Sequence, residues 1–305
     1  MSRILVTGRN GQVGFELQRR LARLGRVTAA GRDEMDLADP DSIRNMLRNT
    51  APNLIVNAAA YTAVDQAESE PELVLAINGV APGILAEEAK RLGAALIHYS
   101  SDYVFDGSKT APYTEDDAPR PISAYGRSKL AGEQAIQSVD VPHLILRTSW
   151  VYGARGKNFL LTILRLAKER EELAVVDDQV GAPTWCQVIA AATGGILQDL
   201  GYGQARFRDA CDAKRGIYNL TAAGQTSWHG FAAAILALGA SAQQGQSDFA
   251  LTRVPALKPI KTEQYPLPAQ RPRNSLLSNA KIQSTFGLVM PGWESSLADC
   301  MSSAQ

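Results

Sequence analysis

Arg3-Ile4-Leu5-Val6-Thr7-Gly8-Arg9-Asn10-Gly11-Gln12-Val13-Gly14 is the stretch that decides the fold. A short apolar run ends in a glycine turn, and Phe15 to Leu24 continues with the apolar spacing of a helix. Glycines at 8, 11 and 14 let the backbone turn sharply and come close to a pyrophosphate. The helix that follows supplies unpaired N–H groups and a partial positive charge. The competing reading is a tight structural turn. Between a strand and a helix, this spacing predicts a Rossmann-type α/β fold with a doubly wound parallel sheet. Gly8, Asn10, Gly11, Gln12, Val13 and Gly14 become candidate dinucleotide contacts.

Working outward, Arg26 to Ala30 reads as the second strand, ending in Gly31-Arg32. An acidic residue at that end would hold the ribose diol of NAD. A glycine followed by a guanidinium suits a 2′-phosphate instead. The pattern favours NADPH and leaves NADH as the alternative, because Asp33 and Glu34 follow closely. Asp36 and Leu37 come next, where they can flank the adenine. Asn53 to Asn57 is a third strand, and Ala60, Tyr61 and Thr62 lie just past its end. Leu73 to Leu92 reads as a long amphipathic helix whose Asn78 either bonds backbone near the site or faces solvent.

Ala94 to Tyr99 is a buried parallel strand, which places Ser101 at its carboxyl end, where ligands bind in open α/β sheets. Tyr125 and Lys129 are four residues apart at the start of a helix, so phenol and ammonium share one face. A fixed cation lowers the pKa of a phenol from its ordinary value of about 10. A serine hydroxyl beside them can bond a carbonyl oxygen, while the phenol donates a proton as a hydride arrives. The plain alternative is a surface tyrosine and a solvated lysine. His98, on the same strand, reads as a satisfied core histidine. The Lys109 to Pro121 segment, with prolines at 112, 119 and 121, is a loop or flap between the serine and the tyrosine. Trp150 closes the next strand and either stacks on a ligand or packs the core.

Beyond residue 150 the alternation of strand and helix loosens into a smaller, mixed C-terminal unit. Residues 1–150 and about 180–222 are expected to bind the dinucleotide, and about 151–179 with 223–305 the substrate. Gln204 to Lys214 reads as a polar surface insertion, Ser241 to Ser247 as a loop, and the five prolines between 255 and 272 argue against regular structure there. Arg271 and Asn274 lie in a rigid basic stretch suited to phosphate, or simply to solvent.

Composition bounds the class. The 305 residues carry 31 basic and 31 acidic side chains, so nothing suggests a nucleic-acid or membrane-surface partner. Three widely separated cysteines lack metal-ligand spacing and read as reduced thiols in a cytoplasmic protein. No charged-then-apolar leader and no apolar run of ~18 residues is found.

Taken together, Gly8-x-x-Gly11-x-x-Gly14, the serine ending the fourth strand and Tyr125-x-x-x-Lys129 resemble the extended short-chain dehydrogenase/reductases. Within them, Asn57 to Asp65, His98 to Phe105, Arg147 to Tyr152, Gly181 to Thr184 and Arg271 to Ser275 are similar to the dTDP-4-dehydrorhamnose reductase family. The resemblance implies reduction of the 4-keto group of dTDP-4-dehydro-β-L-rhamnose with NADPH or NADH. It implies Tyr125 as proton donor, Lys129 on the nicotinamide ribose, and Ser101, Asp102 and Trp150 on the sugar nucleotide. Gly11, Gln12, Val13, Asp36, Leu37, Ala60, Tyr61 and Thr62 are implied to line the cofactor. The family often has threonine where this chain has Ser101; the hydroxyl is kept. Some members bind Mg2+ at a dimer interface, so Mg2+ enters by resemblance alone, and the chain is a monomer or a homodimer. Two other readings stay open: a reductase of another dTDP-4-keto-6-deoxyhexose, and a non-catalytic NADP-binding regulatory subunit, which the intact Ser101, Tyr125 and Lys129 oppose.

Overall fold

The computed structural model describes residues 2–242 and 248–302. Its central sheet is built from β1 (Arg3–Thr7), β2 (Arg26–Ala30), β3 (Leu54–Asn57), β4 (Ala95–Ser101), β5 (His143–Thr148) and a sixth strand, Gly216–Asn219. All pairings are parallel, and the spatial order is sixth–β5–β4–β3–β1–β2. β3, β4 and β5 are buried along their whole length, which is why they read as unbroken apolar runs rather than alternating ones. The chain leaves β1 toward β2 and returns across it to β3. Crossovers therefore diverge between β1 and β3, and the crevice at their carboxyl ends is where such sheets bind ligands.

Helices cover both faces. One cluster packs Ile4, Val6, Leu54 and Val56 against Leu17, Leu21 and Ile189. The opposite face packs Leu5, Ile55 and Leu96 against Ile43, Leu47 and Leu85. A separate apolar cluster gathers residues from 152–175, 222–251 and 293–301 around Phe231 and Leu297. Ile282 and Met290 pack with the first sheet cluster instead.

Three expectations are corrected. Gln204 to Lys214 is not a surface insertion: Phe207–Ala213 is a helix whose Phe207 and Cys211 enter the first core. Its two apolar side chains, four apart, outweigh the polar composition around them. Within the proline-rich stretch, Ala256–Ile260 is a strand pairing parallel with Glu172–Val176. That two-stranded ribbon is all edge, so Pro259 fits where a central strand would exclude it. The long helix expected from Leu73 is Pro71–Leu75 and Ala81–Leu92 joined by a π turn, Ala76–Val80, that carries Asn78. Of the loop expected at 241–247, Ser241 ends the helix Trp228–Ser241, and residues 243–247 lie outside the described residues.

The buried polar centre of the sheet is an ion pair. Arg147 on β5 and Glu133 on the helix Ala124–Gln137 are each 1% exposed and meet through two bonds, Nε–Oε1 at 2.8 Å and Nη2–Oε2 at 2.6 Å. Removing one partner leaves the other charge buried and uncompensated. Glu133→Ala is expected to lower unfolding free energy by roughly 3–5 kcal/mol, measured by urea denaturation. Replacing both partners with apolar residues of similar volume is expected to recover most of that loss.

Candidate active site

The cradle at the end of β1 depends on close backbone approach. Gly8 has φ +73°, and Gly11 N–H donates to its carbonyl at 2.9 Å. A Cβ on Gly14 would lie 2.1 Å from that same oxygen, so glycine is required there by space alone. Gly11 caps the helix Gln12–Leu21 without a side-chain bond, and no acidic residue occupies its first turn. The leading N–H groups of the helix thus keep their affinity for an anion.

This cradle opens into a cavity of about 740 Å³. Gly8, Asn10, Gly11, Gln12 and Val13 line one wall, while Gly14 presses on Gly8 behind it. Arg32, Asp36 and Leu37 line the end beyond β2, and Ala60, Tyr61 and Thr62 the end beyond β3. Ser101, Asp102, Tyr125, Lys129 and Trp150 line the opposite side. Asn78 proves to be the backbone clamp: its Oδ1 accepts from Tyr61 N–H at 2.9 Å, and its Nδ2 donates to Tyr61 O at 3.0 Å and Ser128 Oγ at 3.1 Å. It ties the loop after β3 to the helix that bears Tyr125 and Lys129.

Around the three reactive candidates burial dominates. Ser101 Oγ donates to Asp102 Oδ1 at 2.8 Å and accepts from Tyr103 N–H at 3.2 Å. Burial pushes the Tyr125 phenol up to about 12, opposed by a hydrogen bond with Ser101 and reinforced by the charge of Asp102. The drop expected from Lys129 is absent; its ammonium donates to Tyr99 O at 2.6 Å. Burial draws Lys129 down to about 8, with Glu133 opposing. Burial likewise raises Asp102 to about 6, against hydrogen bonds from Ser275 and Ser101. His98 is a core histidine, 1% exposed, and it stands beside Lys129.

Of the two readings of Trp150, the structure shows packing. Its ring stacks on Trp228 with centroids 3.5 Å apart, and a Cβ on Gly181 would collide with it at 2.4 Å. The slab so fixed forms part of the cavity wall. Arg271 and Asn274 are not in that wall. Arg271 is committed to Asp65 at 2.8 Å and lies over the Tyr103 ring. Asn274 donates to the carbonyls of Lys109 and Ala111 at 2.7 and 3.0 Å and accepts from Leu276 N–H, which anchors the Lys109 segment. Both fix the loops that carry the wall.

Two contributions were missed from the sequence. Glu34 folds back so that its carboxylate accepts from Gly31 N–H at 2.8 Å and pairs with Arg9 at 2.5 Å. An acidic group thus stands at the end of β2 after all, though already neutralised. Lys157 reaches the cavity from the loop after residue 153, which docks on the first helix through Asn158 Nδ2 to Gln12 Oε1 at 2.9 Å. Among the described residues, no group of three or more His, Cys, Asp or Glu side chains could hold an ion. No helix among the described residues is long and apolar enough to cross a membrane.

The family model of the RmlD substrate binding domain matches residues 1–305. The chain belongs to the dTDP-4-dehydrorhamnose reductase family. It is 49% identical over 299 residues to the dTDP-4-dehydrorhamnose reductase of Burkholderia thailandensis, covering 98% of both chains. It is 44% identical over 297 residues to that of Escherichia coli, covering 95% of this chain and 94% of the other. The solved dTDP-4-dehydrorhamnose reductase of Bacillus anthracis, in complex with NADP, superposes with a TM-score of 0.85 at 32% identity, covering 98% and 99% of the two chains.

The shifted Asp102 makes a stability prediction. Its folded pKa, about 6, lies above the ordinary 3.8. The folded state is therefore favoured while the group is protonated, and that advantage is lost as pH rises from about 4 to about 6. Between pH 4 and pH 7 wild type should lose roughly 2–3 kcal/mol relative to Asp102→Asn. Urea unfolding of both proteins across that range checks this.

Proposed function

We propose that the chain reduces the 4-keto group of dTDP-4-dehydro-β-L-rhamnose, using NADPH, to give dTDP-β-L-rhamnose. The observation that carries the reading is one cavity lined both by the glycine cradle and by Ser101, Tyr125 and Lys129. Gly8 to Val13 would hold the dinucleotide diphosphate, Arg32 the 2′-phosphate, and Lys129 the nicotinamide ribose. The dinucleotide fits this lining because the cradle offers unpaired N–H groups and no first-turn carboxylate. When bound, it supplies a hydride.

Tyr125 gives its proton to the ketone oxygen as that oxygen gains negative charge. A phenol raised to about 12 is fully protonated at neutral pH, so the donor is loaded before substrate arrives. The same shift makes it a reluctant acid, and a cationic Lys129 at the cleft lowers that resistance. Ser101 shifts its hydrogen from Asp102 to the ketone oxygen and so fixes the carbonyl. Trp150, held flat by Trp228 and Gly181, bounds the sugar. Arg271 and Asn274 support this site from behind, by holding Tyr103 and the Lys109 segment.

NADPH is favoured over NADH because Arg32 lines the far wall, exposed and held only by a long 3.9 Å pairing with Asp36, while the Glu34 carboxylate is taken up by Arg9. Residues 1–150 and about 180–222 form the dinucleotide unit in this reading. About 151–179 and 223–305 form the sugar-nucleotide unit, with Ile282 and Met290 crossing back to the first core. The reaction belongs to the cytoplasm and to a monomer or homodimer.

Loss of nicotinamide absorbance on mixing protein, NADPH and dTDP-4-dehydrorhamnose tests the assignment. Tyr125→Phe should lower kcat by roughly 10²- to 10⁴-fold while NADPH still binds. Ser101→Thr should retain activity that Ser101→Ala loses. Wild-type protein that binds NADPH yet leaves this sugar unreduced would sink the proposal.

A further inference from the structure

Beneath Lys129 runs a buried polar chain that the mechanism above does not use. Thr7, Asn57 and His98 are 2%, 1% and 1% exposed. They stand abreast on β1, β3 and β4, Thr7 in register with Asn57 and Asn57 with His98. Ala59 N–H lies 3.0 Å from Thr7 Oγ1, which is 2.6 Å from Asn57 Oδ1. Asn57 Nδ2 is 2.9 Å from His98 Nδ1, and His98 Nε2 is 3.5 Å from Lys129 Nζ.

The lengths fix the direction of this chain. Thr7 Oγ1 accepts from Ala59, which leaves its own hydrogen to give. A separation of 2.6 Å suits O–H···O and is short for N–H···O. The carbonyl of the Asn57 amide therefore faces Thr7, and its amine faces His98. His98 Nδ1 must then accept. Burial, together with the nearby Lys129 charge, holds the imidazole well below its usual pKa, so the ring is neutral and has one hydrogen. That hydrogen sits on Nε2, facing the ammonium. The 3.5 Å gap is longer than an ordinary hydrogen bond, whereas Tyr99 O takes an ammonium hydrogen at 2.6 Å.

We propose that His98 is a positioning residue for Lys129: it presents an N–H edge instead of a lone pair, and so leaves the ammonium one protein acceptor, the Tyr99 carbonyl. The remaining hydrogens of Lys129 are directed into the cavity, toward the nicotinamide ribose. This rests on the reading of Lys129 as the cation that meets that ribose. The other titratable groups around the ammonium are accounted for. Glu133 lies one turn further along the same helix and is engaged by Arg147 through both oxygens. Tyr125 shares the helix face, and Asp102 stands at the end of β4 bonded to Ser101. None of them contacts His98 Nε2 in the way Lys129 does.

The tautomer can be read directly, without turnover. The chain has three histidines, so ¹⁵N-histidine labelling gives three ring patterns, and His98 is the one lost in His98→Gln. The expected spectrum shows Nδ1 bare and Nε2 protonated, unchanged from pH 6 to pH 9. A protonated Nδ1 with a bare Nε2 overturns the proposal. Asn57→Asp supplies the functional arm, because a carboxylate there accepts from His98 Nδ1–H and turns the Nε2 lone pair onto Lys129. That variant should bind NADPH about tenfold more weakly and move the basic limb of its kcat profile up by about one pH unit, as the ammonium gains an acceptor. Reversal of the tautomer with NADPH affinity and pH profile both unchanged would also overturn it. If Asn57→Asp does not fold, the wild-type spectrum decides alone. Failure to reduce dTDP-4-dehydrorhamnose would remove the assigned substrate and leave the spectrum unaffected, so the two readings fail separately.

Discussion

A buried ammonium organises this molecule. Lys129 is 2% exposed and held by a backbone carbonyl at 2.6 Å. A charge so deep is tolerated only where the surroundings are polar and fixed. The fixing groups come from separate elements: Tyr99 from β4, His98 behind it, and Glu133 further along the same helix. Glu133 is itself held by Arg147 of β5. The Ala124–Gln137 helix cannot slide along the sheet without breaking this set. Because Tyr125 rides on that helix, its phenol is positioned by the same constraint that places the lysine.

The second requirement is close approach of backbone to backbone, met by small residues. Gly126 packs so near the Tyr103 carbonyl that a Cβ would lie at 2.2 Å, and Gly132 meets the Asn78 carbonyl at the same distance. These contacts seat the helix against the segment that follows Ser101 and against the π turn. The widened turn lets Asn78 reach Tyr61 and Ser128 together. The loop after β3 and the Ala124–Gln137 helix are therefore tied together.

Much of this was legible in the sequence, because the decisive features are local. Glycine spacing after a strand, apolar runs buried on both faces and a four-residue Tyr–Lys separation each follow from chain geometry alone. The features that were not legible are contacts between distant segments. Nothing near Glu34 shows that it will reach back to Gly31 and Arg9. Nothing near Asn274 shows that its amide will be consumed by the carbonyls of Lys109 and Ala111. Phe207 and Cys211 were hidden by polar neighbours, and Ala256–Ile260 by its prolines, since an edge strand relaxes the rule that excludes them. The upward shift of Tyr125 was missed for a related reason. Helical spacing puts a cation on the same face, but only the fold shows that it bonds elsewhere.

The cleft thus gathers groups whose ionisation equilibria burial has shifted. Burial raises Asp102 and lowers Lys129, and at neutral pH each of these two shifts is free energy withheld from stability, whereas the raised Tyr125 phenol is protonated there in either state. Such a site persists because apolar clusters on both faces of the sheet, and a third around Phe231, over-determine the positions of its walls. Ligand groups that give the phenol and ammonium new partners relieve part of that penalty. On this view the residues whose burial costs the fold most are those whose interactions improve on binding. That is the differential binding from which catalysis draws its energy.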